Sequence, residues 1–161
     1  MKTGIIIIFH NNAKEIDTSF FIEQINQSLN LELCLVNNDS KDETNHLLNT
    51  IKASCSNVSV VNIRKFTSDN AAVKAGARYM YNAFELNHLG YVSINMLNIK
   101  YHGLNGLMQM ICKNQELILN YNYKNLKRKQ TLKQRLFSVT DYLKQLKVNN
   151  PFINLQYQTN L

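Results

Sequence analysis

Four short aliphatic runs, each delivered into a polar turn and followed by a helix-length amphipathic segment, constrain the first 97 residues more than any other feature. Gly4 to Phe9 is a continuous β-branched run, the pattern of a strand buried on both faces. A polar loop, His10 to Lys14, follows. Asp17 or Thr18 can cap a helix that carries Phe21, Ile22, Ile25 and Leu29 on one face. Leu31 to Val36 reads as the second strand. Ser40-Lys41-Asp42-Glu43 has capping-box form, with Leu47, Leu48 and Ile51 on one side of the helix behind it. Val58 to Ile63 reads as the third strand. Residues 68–86 read as a helix with Ala72, Ala75, Tyr79, Ala83 and Phe84 inward, and Tyr91 to Leu97 as the fourth strand. Alternation of this kind calls for crossover connections and a mainly parallel sheet, so the expected class is α/β.

Beyond residue 97 the rhythm changes. His102 to Lys113 reads as helix, Leu117 to Tyr123 alternates like a strand, and Thr131 to Lys147 reads as one amphipathic helix. The tail from Val148, which holds the single proline, Pro151, is expected to be irregular. With 161 residues and no low-complexity linker, one domain is expected over 1–161: an α/β half over 1–100 and a short basic part over 101–161. No run approaches the roughly 18 apolar residues of a membrane span. The Ile5–Phe9 run has no cleavage site of small residues behind it, so a cytoplasmic location is expected. Three widely spaced cysteines without C-x-x-C (Cys34, Cys55, Cys112) agree with reduced thiols.

Charge is divided unevenly. Residues 1–97 carry 8 Lys/Arg and 9 Asp/Glu, whereas residues 98–161 carry 10 Lys/Arg against only Glu116 and Asp141. The whole net charge of +7 therefore resides in the second part, densest at Lys124, Lys127, Arg128 and Lys129. Such a surface could meet an acidic protein partner, an anionic membrane or nucleic acid; a solvated helix face explains it equally well. No zinc-knuckle spacing and no aromatic RNA-binding motif supports a dedicated nucleic-acid reader.

In a parallel sheet, ligands bind beyond the carboxyl ends of the strands. Here those ends read His10-Asn11-Asn12, Asn37-Asn38-Asp39, Arg64-Lys65 and Asn95-Met96-Leu97. Neither G-x-G-x-x-G nor G-x-x-x-x-G-K-[ST] is present, and the four histidines (His10, His46, His88, His102) form no H-E-x-x-H. No G-x-S-x-G elbow proposes a hydrolase.

The segment Val36-Asn37-Asn38-Asp39-Ser40-Lys41-Asp42-Glu43-Thr44 resembles the nucleotide-binding turn of family 2 glycosyltransferases, usually V-D-D-G-S-x-D-x-T, in the Rossmann-like GT-A fold. Ile5 to Asn11 is similar to that family's opening strand, which usually ends I-P-x-[YH]-N. Ala72 to Ala77 looks like the helix usually reading A-x-N-x-G, and Tyr91 to Leu97 lies where the fourth strand ends in D-x-D. The resemblance covers residues 4–100. It implies nucleotide contacts from His10, Asn11, Asn37, Asp39, Arg64, Lys65 and Lys74, and a nucleotide diphosphate sugar as ligand.

The departures carry as much as the matches. Asn37 and Asn38 occupy the paired aspartates; Asn37 takes the place of the carboxylate that accepts the uracil imide proton, which an amide oxygen can still do. Ile8 replaces the proline. Asn95 and Leu97 replace the two D-x-D aspartates, whose task is to hold Mg²⁺ or Mn²⁺ at the diphosphate; such hard ions want anionic oxygens, so a divalent metal is not expected. The family's later catalytic carboxylate has only Glu116 and Asp141 as candidates, and Asp141 falls mid-helix on this reading. A chain of 161 residues is expected to leave little room for a complete acceptor half, and the exposed apolar surface of a truncated one would favour a homodimer or a partner chain. Three expectations follow. The first is a degenerate relative serving as a binding or scaffold module. The second is an active, metal-independent transferase in which cationic side chains hold the diphosphate. The third is a small α/β domain that binds nucleic acid.

Overall fold

Every residue of the first strand is buried, and the two faces of that strand seed two separate cores. In the computed structural model, which describes residues 2–93, 99–124, 131 and 135–148, β1 spans Thr3–Phe9. Ile5, Ile7 and Phe9 enter one cluster, while Ile6 and Ile8 enter the other. This is how a β-branched run behaves when both sheet faces are covered. The remaining elements are α1 (Thr18–Asn26), β2 (Leu31–Asn38), α2 (Thr44–Ser54), β3 (Val58–Ile63), α3 (Asp69–Ala83), β4 (Leu89–Ser93), α4 (Ile99–Lys113), α5 (Gln115–Lys124), β5 (Leu136–Ser138) and α6 (Val139–Gln145). A single 3₁₀ turn, Ala13–Glu15, precedes α1.

The sheet order is β3-β2-β1-β4-β5 and every pairing is parallel. The expected α/β class is the observed one. Phe21 and Ile25 of α1, Leu48 and Ile51 of α2, Leu104 to Ile111 of α4, Ile118 of α5 and Leu143 of α6 fill the first cluster. Residues from both parts of the chain thus share one core. The opposite face is covered by α3 through Ala72, Val73, Ala77 and Met80. Gly76 lets that helix come close: a Cβ there would lie 2.9 Å from Ile6 Cγ2 and 3.0 Å from Val36 Cγ2.

Several boundaries differ from the sequence expectation. Asp17, not Thr18, caps α1, its carboxylate accepting from the Phe20 amide at 3.1 Å. Leu29 lies beyond that helix and is 56% exposed. The expected helix over 68–86 ends at Ala83, and its buried face is Ala72, Val73, Gly76, Ala77 and Met80; Tyr79 faces solvent. Leu117 to Tyr123 is helix, not strand: Ile118 and Tyr121 share one side of α5, and the Tyr121 ring stacks on Phe137 with centroids 3.8 Å apart. Within Thr131 to Lys147 the chain forms β5 before a helix of only seven residues. Arg135 fixes the start of β5. Its guanidinium lies 4.0 Å over the Tyr81 ring and donates to the carbonyls of Asn87 and Leu86. Arg135 is thereby one of the ten C-terminal cations with a structural task. The fourth strand begins earlier than expected, at Leu89; its expected end and the tail beyond Val148 lie outside the described residues. No described helix is long and apolar enough to cross a membrane.

Candidate functional site

The carboxyl ends of β1, β2 and β3 meet in three turns that bind one another. Two of those turns need left-handed backbone, at Asn11 (φ 52°) and Asp39 (φ 53°). Asn and Asp tolerate that region better than other residues with a side chain.

The turn after β2 holds the turn after β1 through Ser40, Asp42 and Thr44, the three polar letters that this sequence shares with the V-D-D-G-S-x-D-x-T pattern. Ser40 Oγ accepts from the Asn11 amide at 3.0 Å, and Thr44 Oγ1 accepts from the Asn12 amide at 2.8 Å. Asp42 accepts from the Ala13 amide at 3.1 Å and from both the amide and the hydroxyl of Thr44. Asn11 returns the contact, its Oδ1 accepting from the Lys41 amide at 2.7 Å. The expected capping box is therefore absent: Glu43 makes no capping bond to α2, and Ser40 braces the neighbouring loop instead.

Asn37 and Asn38 sit on opposite faces. By strand alternation Asn37 follows Leu33 and Leu35 toward α2. Its Oδ1 accepts from the Ser40 amide at 3.2 Å and its Nδ2 donates to Asn62 Oδ1 at 3.1 Å. Asn38 is fully buried and clamps Thr67: Nδ2 donates to the Thr67 carbonyl at 2.8 Å while Oδ1 accepts from the Thr67 amide at 3.1 Å. A carboxylate could make only the second of these bonds.

His10, Asn11, Asp39 and the loop after β3 converge. His10 Nδ1 lies 2.7 Å from the Asn38 carbonyl, which can only accept, so Nδ1 carries the hydrogen. The imidazole packs against Phe66, with centroids 4.6 Å apart at a 55° tilt. Asp39 accepts from the Phe66 amide at 3.2 Å and pairs with Lys41 Nζ at 2.8 Å. The Lys41 hydrogen bond, with the Phe66 amide adding to it, holds the Asp39 carboxyl below the usual carboxylate range. Desolvation pushes Asp42 upward, but the Thr44 hydroxyl and the amides of Thr44 and Ala13 outweigh it, and Asp42 also lies below its ordinary value. Arg64 and Lys65 are exposed on the same loop as Phe66.

Lys74 belongs to a second place. With Asn70 and Val73 of α3, Tyr91 of β4 and Leu136 of β5 it lines a cavity of about 370 Å³ on the α3 face of the sheet. Asn95 and Leu97 lie outside the described residues. Among the described residues no cluster of three or more His, Cys, Asp or Glu is placed to hold a metal. Asp141 is not mid-helix, as expected, but in the first turn of α6, exposed, immediately after the carboxyl end of β5.

Sequence reasoning missed Asn62, Phe66 and Thr67. Each acts through pairing to a strand end about 25 to 29 residues earlier. The one local signal was an aromatic residue in an otherwise polar loop, Arg64-Lys65-Phe66-Thr67-Ser68.

No protein-family profile matches the chain, and no curated protein resembles it significantly in sequence. Solved structures do. Staphylococcus aureus TarS 1-349 superposes with a TM-score of 0.51 at 12% identity, over 76% of this chain and 33% of that one. The structure of TarS 1-349 in complex with UDP-GlcNAc superposes with a TM-score of 0.49 at 12% identity, over 76% and 32%. The chain spans about a third of the length of these neighbours. Its fold is glycosyltransferase-like, a Rossmann-like α/β sheet of GT-A type.

Proposed function

We propose that the chain is a nucleotide-sugar-binding module on a glycosyltransferase-like fold, degenerate as a catalyst. In this reading the basic C-terminal part contacts an acidic protein partner or an anionic membrane surface. One observation carries the reading: the turn letters that organise the strand ends are kept and hydrogen-bonded (Ser40, Asp42, Thr44), while the carboxylate positions have become amides (Asn37, Asn38). His10, Asn11, Asp39, Arg64 and Lys65 then form the nucleotide edge, and Lys74 contributes a cation from the cavity beside β4.

A divalent ion does not fit the donor set. Asn95 offers one neutral carbonyl and Leu97 nothing, while Asp39 and Asp42 already spend both oxygens on amides, Lys41 and Thr44. The ligand's negative charge is met by lysine and arginine.

The test is a thermal-shift screen with UDP, GDP and their sugars, with Mn²⁺ or with EDTA; UDP-GlcNAc, the ligand named for the TarS complex, is the first probe. Ligand at about a hundred times its dissociation constant adds roughly 2.7 kcal/mol, or about 5–10 °C for a chain of this size. A shift that persists in EDTA supports the module. A shift found only with Mn²⁺ contradicts it.

A second reading, active transfer, is favoured by the exposed Asp141 at the first turn of α6. It requires turnover of UDP-GlcNAc that Asp141→Asn abolishes without loss of binding.

A further inference from the structure

We propose that Phe66 is the platform on which the base of the nucleotide stacks; this rests on the nucleotide reading above and adds the residue that reads the ring. Of the exposed large apolar residues in the described chain (Leu29, Phe66, Tyr79 and Leu117), Phe66 is the one placed in a strand-to-helix loop at the carboxyl edge. The residue is 55% exposed.

An exposed ring on a loose loop would call for no account, but this loop is fixed. The Phe66 amide is held by Asp39, and the next residue, Thr67, is held at both its amide and its carbonyl by the buried Asn38. The residue after that, Ser68, caps α3 by accepting from the Ala71 amide. On its other flank the ring meets His10, itself held by the Asn38 carbonyl and by the side-chain Nδ2 of Asn11, which donates to Nε2 at 3.2 Å. The ring thus stands exposed on a backbone that is tied down at Phe66 and at Thr67, with His10 against it.

The flanking chemistry selects the occupant. Arg64 and Lys65 immediately precede the ring on the same loop and are exposed. A flat heterocycle with an anionic tail satisfies ring and cations together, the base by stacking and the phosphates by charge. Asn37 spends its side-chain amide on Asn62 and on the Ser40 amide, and stacking on the ring's plane falls to Phe66.

These 161 residues contain no tryptophan, so Phe66→Trp places their only indole at the proposed platform. Emission of that variant is titrated with UDP and with pyrophosphate. Calorimetry with the same two probes follows wild type, Phe66→Leu and Phe66→Ala, each checked for native circular dichroism. UDP should quench the indole saturably while pyrophosphate leaves it unchanged. Both Phe66→Leu and Phe66→Ala should lose roughly 5- to 150-fold in UDP affinity, the span of one base stack, with pyrophosphate affinity unaltered. Wild-type affinity for UDP matched by both variants, with an unresponsive indole, overturns the role of Phe66 and leaves the nucleotide reading standing. No calorimetric binding of UDP to wild type overturns both. Quenching by a single-stranded oligonucleotide but not by UDP overturns the proposal in favour of a nucleic-acid surface.

Discussion

Placing an aspartate at position 38 should destabilise the protein. Asn38 is completely buried, and both halves of its amide are used on one partner, Thr67. In Asn38→Asp the carboxylate still accepts from the Thr67 amide, but its second oxygen faces the Thr67 carbonyl at the 2.8 Å now bridged by a hydrogen. The lost hydrogen bond and the carbonyl left without a donor cost about 1–3 kcal/mol, and burying an unpaired charge adds to it, for a total of roughly 2–4 kcal/mol at pH 7. With a urea m-value near 2 kcal/mol/M, the midpoint falls by about 1–2 M. The pH dependence supplies a second check. Burial against a carbonyl raises the folded-state pKa of the new carboxyl above its unfolded value. The protonated form can donate to Thr67, so the deficit relative to wild type should shrink as the pH falls through that raised pKa toward 4. Urea unfolding followed by circular dichroism at pH 7 and pH 4.5 reads both quantities. A variant as stable as wild type at pH 7, or a deficit that stays constant with pH, would refute the clamp.

Three further outcomes are expected. Gly76→Ala should lower the melting temperature by roughly 2–4 °C, because the added methyl meets Ile6 and Val36 in a packed core and overcomes the helix-propensity gain of about 1 kcal/mol; a raised melting temperature would contradict this. Cys34, Cys55 and Cys112 are all buried, and burial pushes the Cys34 thiol up to about 12, so Ellman's reagent at pH 8 should find no fast-reacting thiol in native protein and three after denaturation. Asp42 has a folded-state pKa below its unfolded one, so its stabilisation is complete above the ordinary carboxylate range and is lost as the pH falls through the lowered value. Asp42→Asn should therefore be less stable than wild type at pH 7, with the gap closing below about pH 4; parallel profiles from pH 7 to 3 would count against the bridge to Ala13.

The N-terminal architecture was legible because its signals are local. The β1 run, the spacing of Phe21 and Ile25, and that of Leu48 and Ile51 each fix an element within a dozen residues. The C-terminal part was misread where tertiary pairing decides. Leu117 to Tyr123 supports either period, and the stack of Tyr121 on Phe137 selects the helix. Three residues of β5 carry no period at all; they are a strand because Leu136, Phe137 and Ser138 pair with Leu89, Gly90 and Tyr91. The same division holds at the candidate site. The turn from Asn37 to Thr44 could be read from its spacing, whereas Asn62, Phe66 and Thr67 owe their positions to bonds with a strand end far earlier in the chain.

The proposed function comes down to an ordered nucleotide edge that needs no divalent ion. Isothermal titration of the 161-residue chain with UDP, in EDTA and again in Mn²⁺, is the decisive test. Binding should be saturable, with the same dissociation constant in both buffers. Binding that disappears in EDTA, or no binding in either, would contradict it.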